Sequence, residues 1–398
     1  MRRSLFIAFI ILMLDAMGVG IIMPVLPGLL GTLGGTSISG AAIIGGLLLA
    51  AYGLMQFLLG PLIGNLSDRF GRRLVLLISL VFLTLDYVLM AVSPNLFWLF
   101  LGRILAGAAG ASYSVCLAVA ADLSRETTRA QNIGLVSAGF GVGFVLGPAL
   151  GGLLADFGLR APFWGAALLM AAALLLCLLG FKETLPPALR RRFELRRADP
   201  LRVFVRMARF KAVRGFLLAF FLFEMSEFVY PSVWAYFTSL RFDWSPRDIG
   251  LSIAFYGAVL AMVQGLLVQP FIRRYGETRT VYIGLIATAS GTAAVGLALT
   301  SWQVYALSTI TALGGLVHAT LMGMASNRIS ASEQGELQGV FAALLALVSL
   351  CAPLLYTQTF SLFVERLDRE ALSGAPFLLS GLIVILALLP LRWGLRAA

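Results

Sequence analysis

Six ionisable side chains stand inside long apolar stretches of this chain: Asp15, Asp86, Arg103, Glu224, Glu227 and His318, the only histidine. A charge in such surroundings is costly and by default functional, because it must find a partner, carry a proton or hold a charged ligand. Glu224 and Glu227 are three residues apart and share a helix face, where like charges oppose full ionisation. Asp15 ionises more readily if Arg103 is near, and a carboxylate protonated in one state and paired in another is what proton coupling requires. The blander readings are a static Asp15–Arg103 pair holding two helices together and a packing His318 with its polar atoms satisfied. Asp86 is expected to hydrogen-bond a neighbouring helix, and Gln56 and Gln264 to face either a polar interior or a helix partner.

The elements that must position these groups follow from composition. The chain has 398 residues, 60% hydrophobic and 12% charged, against roughly a quarter charged in a soluble domain. Its apolar residues come in blocks of about 20 or more, the length a helix needs to cross a bilayer core. Ten-residue alternating strands are absent, which excludes a membrane β-barrel. The blocks predict twelve spans at 4–30, 40–63, 74–93, 96–121, 130–155, 161–181, 213–239, 247–271, 280–300, 302–326, 336–363 and 373–391, an all-α polytopic membrane protein. At 1.5 Å per residue, Asp15 lies about 17 Å into span one and Arg103 about 10 Å into span four. Glu224, Glu227 and His318 also fall near mid-depth of spans seven and ten.

The net charge of +11 follows topology rather than marking a nucleic-acid surface. With a cytoplasmic N-terminus, 24 of the 30 lysines and arginines fall on the cytoplasmic side, so the positive-inside rule predicts both termini inside. Arg2 and Arg3 precede an apolar run too long, and too interrupted by Asp15, Pro24 and Pro27, for a signal peptide. Cys116, Cys177 and Cys351 lie in apolar spans without metal spacing and read as packing residues. The stretch 182–212, with Pro186, Pro187, Arg190, Arg191, Arg192, Glu194, Arg196 and Arg197, breaks the rhythm. It is read as a cytoplasmic linker between an N-terminal six-helix half (1–181) and a C-terminal one (213–398), its charge suited to anionic lipid headgroups. No metal-binding histidine pair, G-x-S-x-G or phosphate loop is present, so an intramembrane enzyme is not expected.

The loop after span two reads Gly64-Asn-Leu-Ser-Asp68-Arg69-Phe70-Gly71-Arg72-Arg73. Positive-inside does not require Asp68, which can close a salt-bridge latch, and Gly64 and Gly71 allow close backbone approach. Arg274-Tyr275-Gly276-Glu277-Thr278, after span eight, is a weak echo. In span five Gly139, Gly143, Gly147 and Gly151 form a four-residue ladder that lets another helix come close, and Pro148 disturbs the backbone bonding beneath it. The loop closely resembles the signature of the major facilitator superfamily, and span five its antiporter motif. Leu14-Asp15-Ala16-Met17-Gly18, Leu85-Asp86-Tyr87, Leu101-Gly102-Arg103 and Glu333-Gln334-Gly335-Glu336 are similar to its tetracycline-efflux drug:proton antiporters, across essentially the whole chain.

The resemblance implies two six-helix bundles in a bacterial inner membrane, with spans one, four, seven and ten lining a central cavity and span five bending between states. It implies a proton-driven exporter of a small amphipathic drug, cationic or zwitterionic given the carboxylates, with protons as the coupling ion and no other cofactor, working as a monomer. Two positions depart from the tetracycline pumps: Thr288 stands where they carry an acid in span nine, and Leu260 where they carry a histidine in span eight. These departures leave a second reading open, transport of an endogenous metabolite on the same scaffold.

Overall fold

A computed structural model describes residues 2–110, 112–125, 128–191, 193, 207, 209–330, 333–367 and 370–396. The described residues form helices and connecting turns, as apolar chain in hydrocarbon must, since only a helix satisfies its backbone groups within one segment. Among the described residues, eleven helical segments are long and apolar enough to cross a membrane. One of them, Pro246–Gly296, runs for 51 residues and turns at Gly276 (φ 76, ψ 162), which divides it into spans eight and nine. The twelve expected spans are therefore present. Most of the linker's basic run, including Arg192, Glu194, Arg196 and Arg197, lies outside the described residues.

Several spans are interrupted, and in spans seven and ten the break falls close to an ionisable residue. Span one is a helix over Arg2–Ile22, then a turn at Pro24, then a second helix over Leu26–Gly34; the proline ring cannot continue the ladder. Span seven is Arg214–Glu227 followed by Val229–Phe242, and its break falls immediately after Glu227. Span ten carries a 3-10 turn over Ala312–Gly314 before the helix Gly315–Ser326 that holds His318. Span eight contains a π turn over Val263–Leu267, which includes Gln264. Irregular turns within helices recur at functional positions because they re-aim side chains.

The contacts divide the chain into two units. The first comprises Met1–Thr36, Ala51–Pro200 and Ser245–Ala254; the second comprises Ser37–Ala50, Leu201–Trp244 and Phe255–Ala398. In the first, span one packs mainly on span five, and span three (Arg72–Val92) on span six (Ala161–Gly180). The glycine ladder faces span one. A Cβ at Gly139, Gly143, Gly147 or Gly151 would stand 2.4, 2.1, 2.6 and 2.1 Å from the carbonyl oxygens of Phe9, Met13, Met17 and Ile21. Four glycines spaced by four thus meet four carbonyls spaced by four. Gly141, off that face, has open space around it. Pro148 lies against Gly20, and its carbonyl oxygen lies against Gly250 at the start of span eight. In the second unit, span twelve (Ala375–Arg396) packs against spans seven and nine, and Gly215 meets Gly394 backbone to backbone.

Candidate functional site

In the first unit the polar groups sort into pairs that differ from the expected ones. Arg103 does not pair with Asp15. Its guanidinium grips Asp86, with Nε donating to Oδ1 at 3.3 Å and Nη2 to Oδ2. The pair is buried, at 7% and 0% side-chain exposure. Gly102 makes the approach possible, since a Cβ there would stand 2.5 Å from Asp86 Oδ1. The rings of Tyr52 and Tyr87 lie 5.6 and 5.5 Å from the Arg103 guanidinium carbon, positions in which a ring face attracts a cation. Gln56 donates to the Tyr52 hydroxyl at 2.9 Å. The static buried pair is therefore Asp86–Arg103, and the partner helix foreseen for Asp86 is span four.

Asp15 is left with a neutral neighbour. Its Oδ2 accepts from the Ser112 hydroxyl of span four. Arg103 fails to reach it because a bidentate grip on a nearer carboxylate satisfies the fork. Asp15 is thus a buried carboxyl group with a hydroxyl for a side-chain partner, chemistry suited to gaining and losing a proton.

In the second unit Glu224 and Glu227 take separate partners. Glu224 Oε1 lies 2.6 Å from His318 Nδ1, and the imidazole also packs on Phe220 at 5.2 Å between centroids. His318 is thus the partner of an acid, beyond simple packing. Glu227 Oε2 accepts from the Tyr256 hydroxyl at 3.0 Å, while Tyr230 stacks on Tyr256 at 5.1 Å. Glu227 Oε1 and Thr288 Oγ1 are both buried with no hydrogen-bond partner. Glu224 and Glu227, neighbours on span seven, thus each take a further partner from another span, His318 of span ten and Tyr256 of span eight.

Both departures border the interrupted stretch of span ten. A Cβ at Gly314 would stand 2.6 Å from Thr288 Oγ1, and one at Gly315 would stand 3.0 Å from Leu260 Cδ1 and from Gln264 Cγ. Gln264 itself is largely exposed.

The loop after span two is a network. Arg72 Nη1 bonds Asp68 Oδ1 at 2.6 Å, and Arg72 Nε bonds Asp122 Oδ2 at the end of span four at 2.9 Å. Gly71 takes φ +104, a conformation that favours glycine. Its missing side chain makes room for Glu183, whose carboxylate accepts from the backbone N–H of Arg72 at 2.9 Å and of Arg73 at 3.2 Å. An anion there complements the positive end of span three. Arg73 Nη2 donates to the Leu178 carbonyl, tying in span six. Gly64 makes no close approach: a Cβ there would meet nothing within 4 Å. The echo after span eight is conformational as well, since Gly276 also has positive φ and Arg274 lies over Tyr275 as Arg69 lies over Phe70.

Ser112, Tyr52, Asp122, Glu183 and Tyr256 emerge as partners only in the structure. Their common signal is a polar atom within or at the end of an apolar run, a pattern that many unused serines and threonines share. Of the cysteines, Cys116 and Cys177 are buried, whereas Cys351 is exposed on the helix surface and does not pack in the interior.

The model of the Major Facilitator Superfamily matches residues 8–353 and 216–397. Among curated relatives, the class C tetracycline resistance protein of Escherichia coli is 40% identical over 354 residues, 87% of each chain. The class G tetracycline resistance protein of Vibrio anguillarum is 38% identical over 368 residues, 91% of each. Among solved structures, a bacterial homolog of the human lysosomal transporter Spinster, in an inward-facing and unoccupied conformation, superposes with a TM-score of 0.80. It is 17% identical and covers 99% of this chain and 96% of that one, which bears on the fold alone.

Proposed function

The chain belongs to the major facilitator superfamily, and on that premise we propose that it is a proton-coupled antiporter exporting a small amphipathic drug, cationic or zwitterionic, by alternating access. Relatives at 38–40% identity are named for tetracycline resistance, and export of such a drug is the activity we assign to this chain. The observation that carries proton coupling is the pair of carboxyl groups, Asp15 and Glu227, buried at mid-span with a hydroxyl as partner. Such a group binds a proton without losing a salt bridge, whereas Asp86, gripped by Arg103, cannot.

In the cycle we envisage, a proton entering from outside converts a carboxylate to the acid and weakens its hold on a cationic group. Release of that proton to the inside restores the charge for the next substrate molecule. The substrate passes unchanged, so no covalent step and no cofactor beyond the proton is invoked. Both termini face the cytoplasm in this reading, the 182–212 linker meets anionic headgroups, and the monomer is the working unit.

The test is uptake of tetracycline, and separately of ethidium, into inverted vesicles under an imposed proton gradient. Gradient-dependent uptake is expected for at least one. Uptake undiminished when an ionophore collapses the gradient refutes coupling, and no uptake of either refutes drug efflux. In the latter case the second reading, transport of an endogenous metabolite, is the one that Thr288 and Leu260 favour, since both positions differ from the tetracycline pumps.

A further inference from the structure

Two glutamates one turn apart on span seven are held so differently that they cannot do the same work. Glu224 has a partner able to take up positive charge, His318 at 2.6 Å, so the pair can exchange a proton internally and stay neutral. Glu227 has one oxygen supported by the Tyr256 hydroxyl at 3.0 Å and the other, Oε1, buried with no partner. A carboxylate oxygen desolvated without a donor is strongly unfavourable. A carboxylic acid in the same place has an O–H to give, and needs an acceptor.

One oxygen nearby can be that acceptor. Thr288 Oγ1 of span nine is also buried and unpartnered, although threonines inside helices commonly donate to the carbonyl four residues back. Both oxygens border Gly314. A Cβ built there would stand 2.6 Å from Thr288 Oγ1 and 3.5 Å from Glu227 Oε1, with Phe223 Cζ also at 3.5 Å. The two oxygens are therefore at most about 6 Å apart. Rotation of the carboxyl group, whose terminal torsion is broad, or one bridging water joins them. Glycine at 314, in the 3-10 turn Ala312–Gly314, keeps a methyl group out of that space.

We propose that Glu227 Oε1 is the atom that carries the coupling proton, and that Thr288 is the positioning residue that accepts its hydrogen bond across the gap at Gly314. This rests on the proton-coupled reading above and specifies which of the carboxyl groups in this unit does the coupling. The step is a simple transfer. Hydronium gives its proton to Glu227 Oε1, forming the O–H bond and leaving water, and on the other side that bond breaks to water, which leaves as hydronium while the carboxylate returns. The titratable groups that act on Glu227 are Glu224 on its own span, Tyr256 on span eight and His318 on span ten; Tyr230 on its own span and Tyr356 of span eleven sense it in turn.

The test is infrared difference spectroscopy of the purified full chain in lipid during a pH titration, which sees the C=O stretch of a protonated carboxyl group without any substrate. In an Asp15→Asn background, which removes the other buried carboxyl group with a hydroxyl partner, a carboxylic band is expected, absent when Glu227→Gln is added and retained when Glu224→Gln is added instead. Thr288→Val should shift its frequency and raise about tenfold the proton concentration needed for half its amplitude, the effect of losing one hydrogen bond. Thr288→Ser should restore the wild-type behaviour. A band that survives Glu227→Gln in that background, or one indifferent to Thr288→Val, overturns the assignment. Vesicle transport in the wild type separates this from the broader reading. If the wild type responds to a proton gradient and Glu227→Gln responds equally, the inference fails and coupling stands; if the wild type does not respond, coupling itself fails.

Discussion

Replacing Gly143 with alanine adds one methyl group on the face of span five that meets span one. The added Cβ would stand 2.1 Å from the Met13 carbonyl oxygen and 2.9 Å from the Ala16 Cβ, far inside ordinary contact. The obstacle is backbone, which cannot swing away as a side chain can, so the helices must separate by about 1 Å along a seam four glycines long. Overpacking of this kind costs about 1–3 kcal/mol. Alanine recovers up to about 1 kcal/mol as the better helix former, leaving a net loss on the order of 1–2 kcal/mol. Gly141→Ala, two residues away with open space around it, gains the helix term without the clash. Thermal unfolding of the purified variants in detergent, followed by the fraction still monodisperse after heating, should show Gly143→Ala clearly less stable than wild type and Gly141→Ala equal or better. The ladder gives a graded series, with Gly143 and Gly151 (2.1 Å) most sensitive, then Gly139 (2.4 Å), then Gly147 (2.6 Å). Equal stability of Gly143→Ala and Gly141→Ala would refute the claim that this face seats span one.

Breaking the buried ion pair by Asp86→Ala should cost about 3–5 kcal/mol by leaving Arg103 uncompensated, seen as loss of folded protein in membranes, with Asp86→Ala/Arg103→Met partly recovering it. Asp15→Asn should leave the protein folded and lower gradient-driven uptake, because only the hydroxyl of Ser112 and no salt bridge is disturbed; full activity would remove Asp15 from coupling. Glu183→Gln weakens the cap on span three and should lower stability by about 1 kcal/mol, with faster protease cleavage in the 182–212 segment as a second readout. Gly314→Ala should reduce proton-driven uptake, since its methyl group would press on Thr288 Oγ1; unimpaired coupling would show that the space at Gly314 is not needed.

Much of this molecule was legible from the order of residue types. Twelve apolar blocks can only be helices in a bilayer, and a four-residue glycine period can only be a close helix seam, so the sequence implied both. It could not tell which helix fills the seam; span one does, because its carbonyls repeat with the same period. The short list of buried charges was also visible, since mid-span ionisable residues are rare. Their pairing was not. Arg103 lies near enough in depth to Asp15 for that pair to be the natural guess, yet Asp86 on the adjacent span takes the guanidinium through the notch at Gly102. Depth along the membrane normal can be counted from sequence, but rotation about each helix axis and the choice of neighbour cannot.

The two glutamates make the same point at closer range. Spacing of three residues sets them on one face of span seven, which sequence alone determines. That one faces a histidine of span ten and the other a tyrosine of span eight depends on the break after Glu227 and the turn at Ala312–Gly314. Local sequence controls which groups are buried, because burial follows hydrophobic run length. Tertiary packing controls whether each buried acid ends as half of a salt bridge or with a hydroxyl for a partner, because that turns on which partner atoms three other helices bring within about 3 Å.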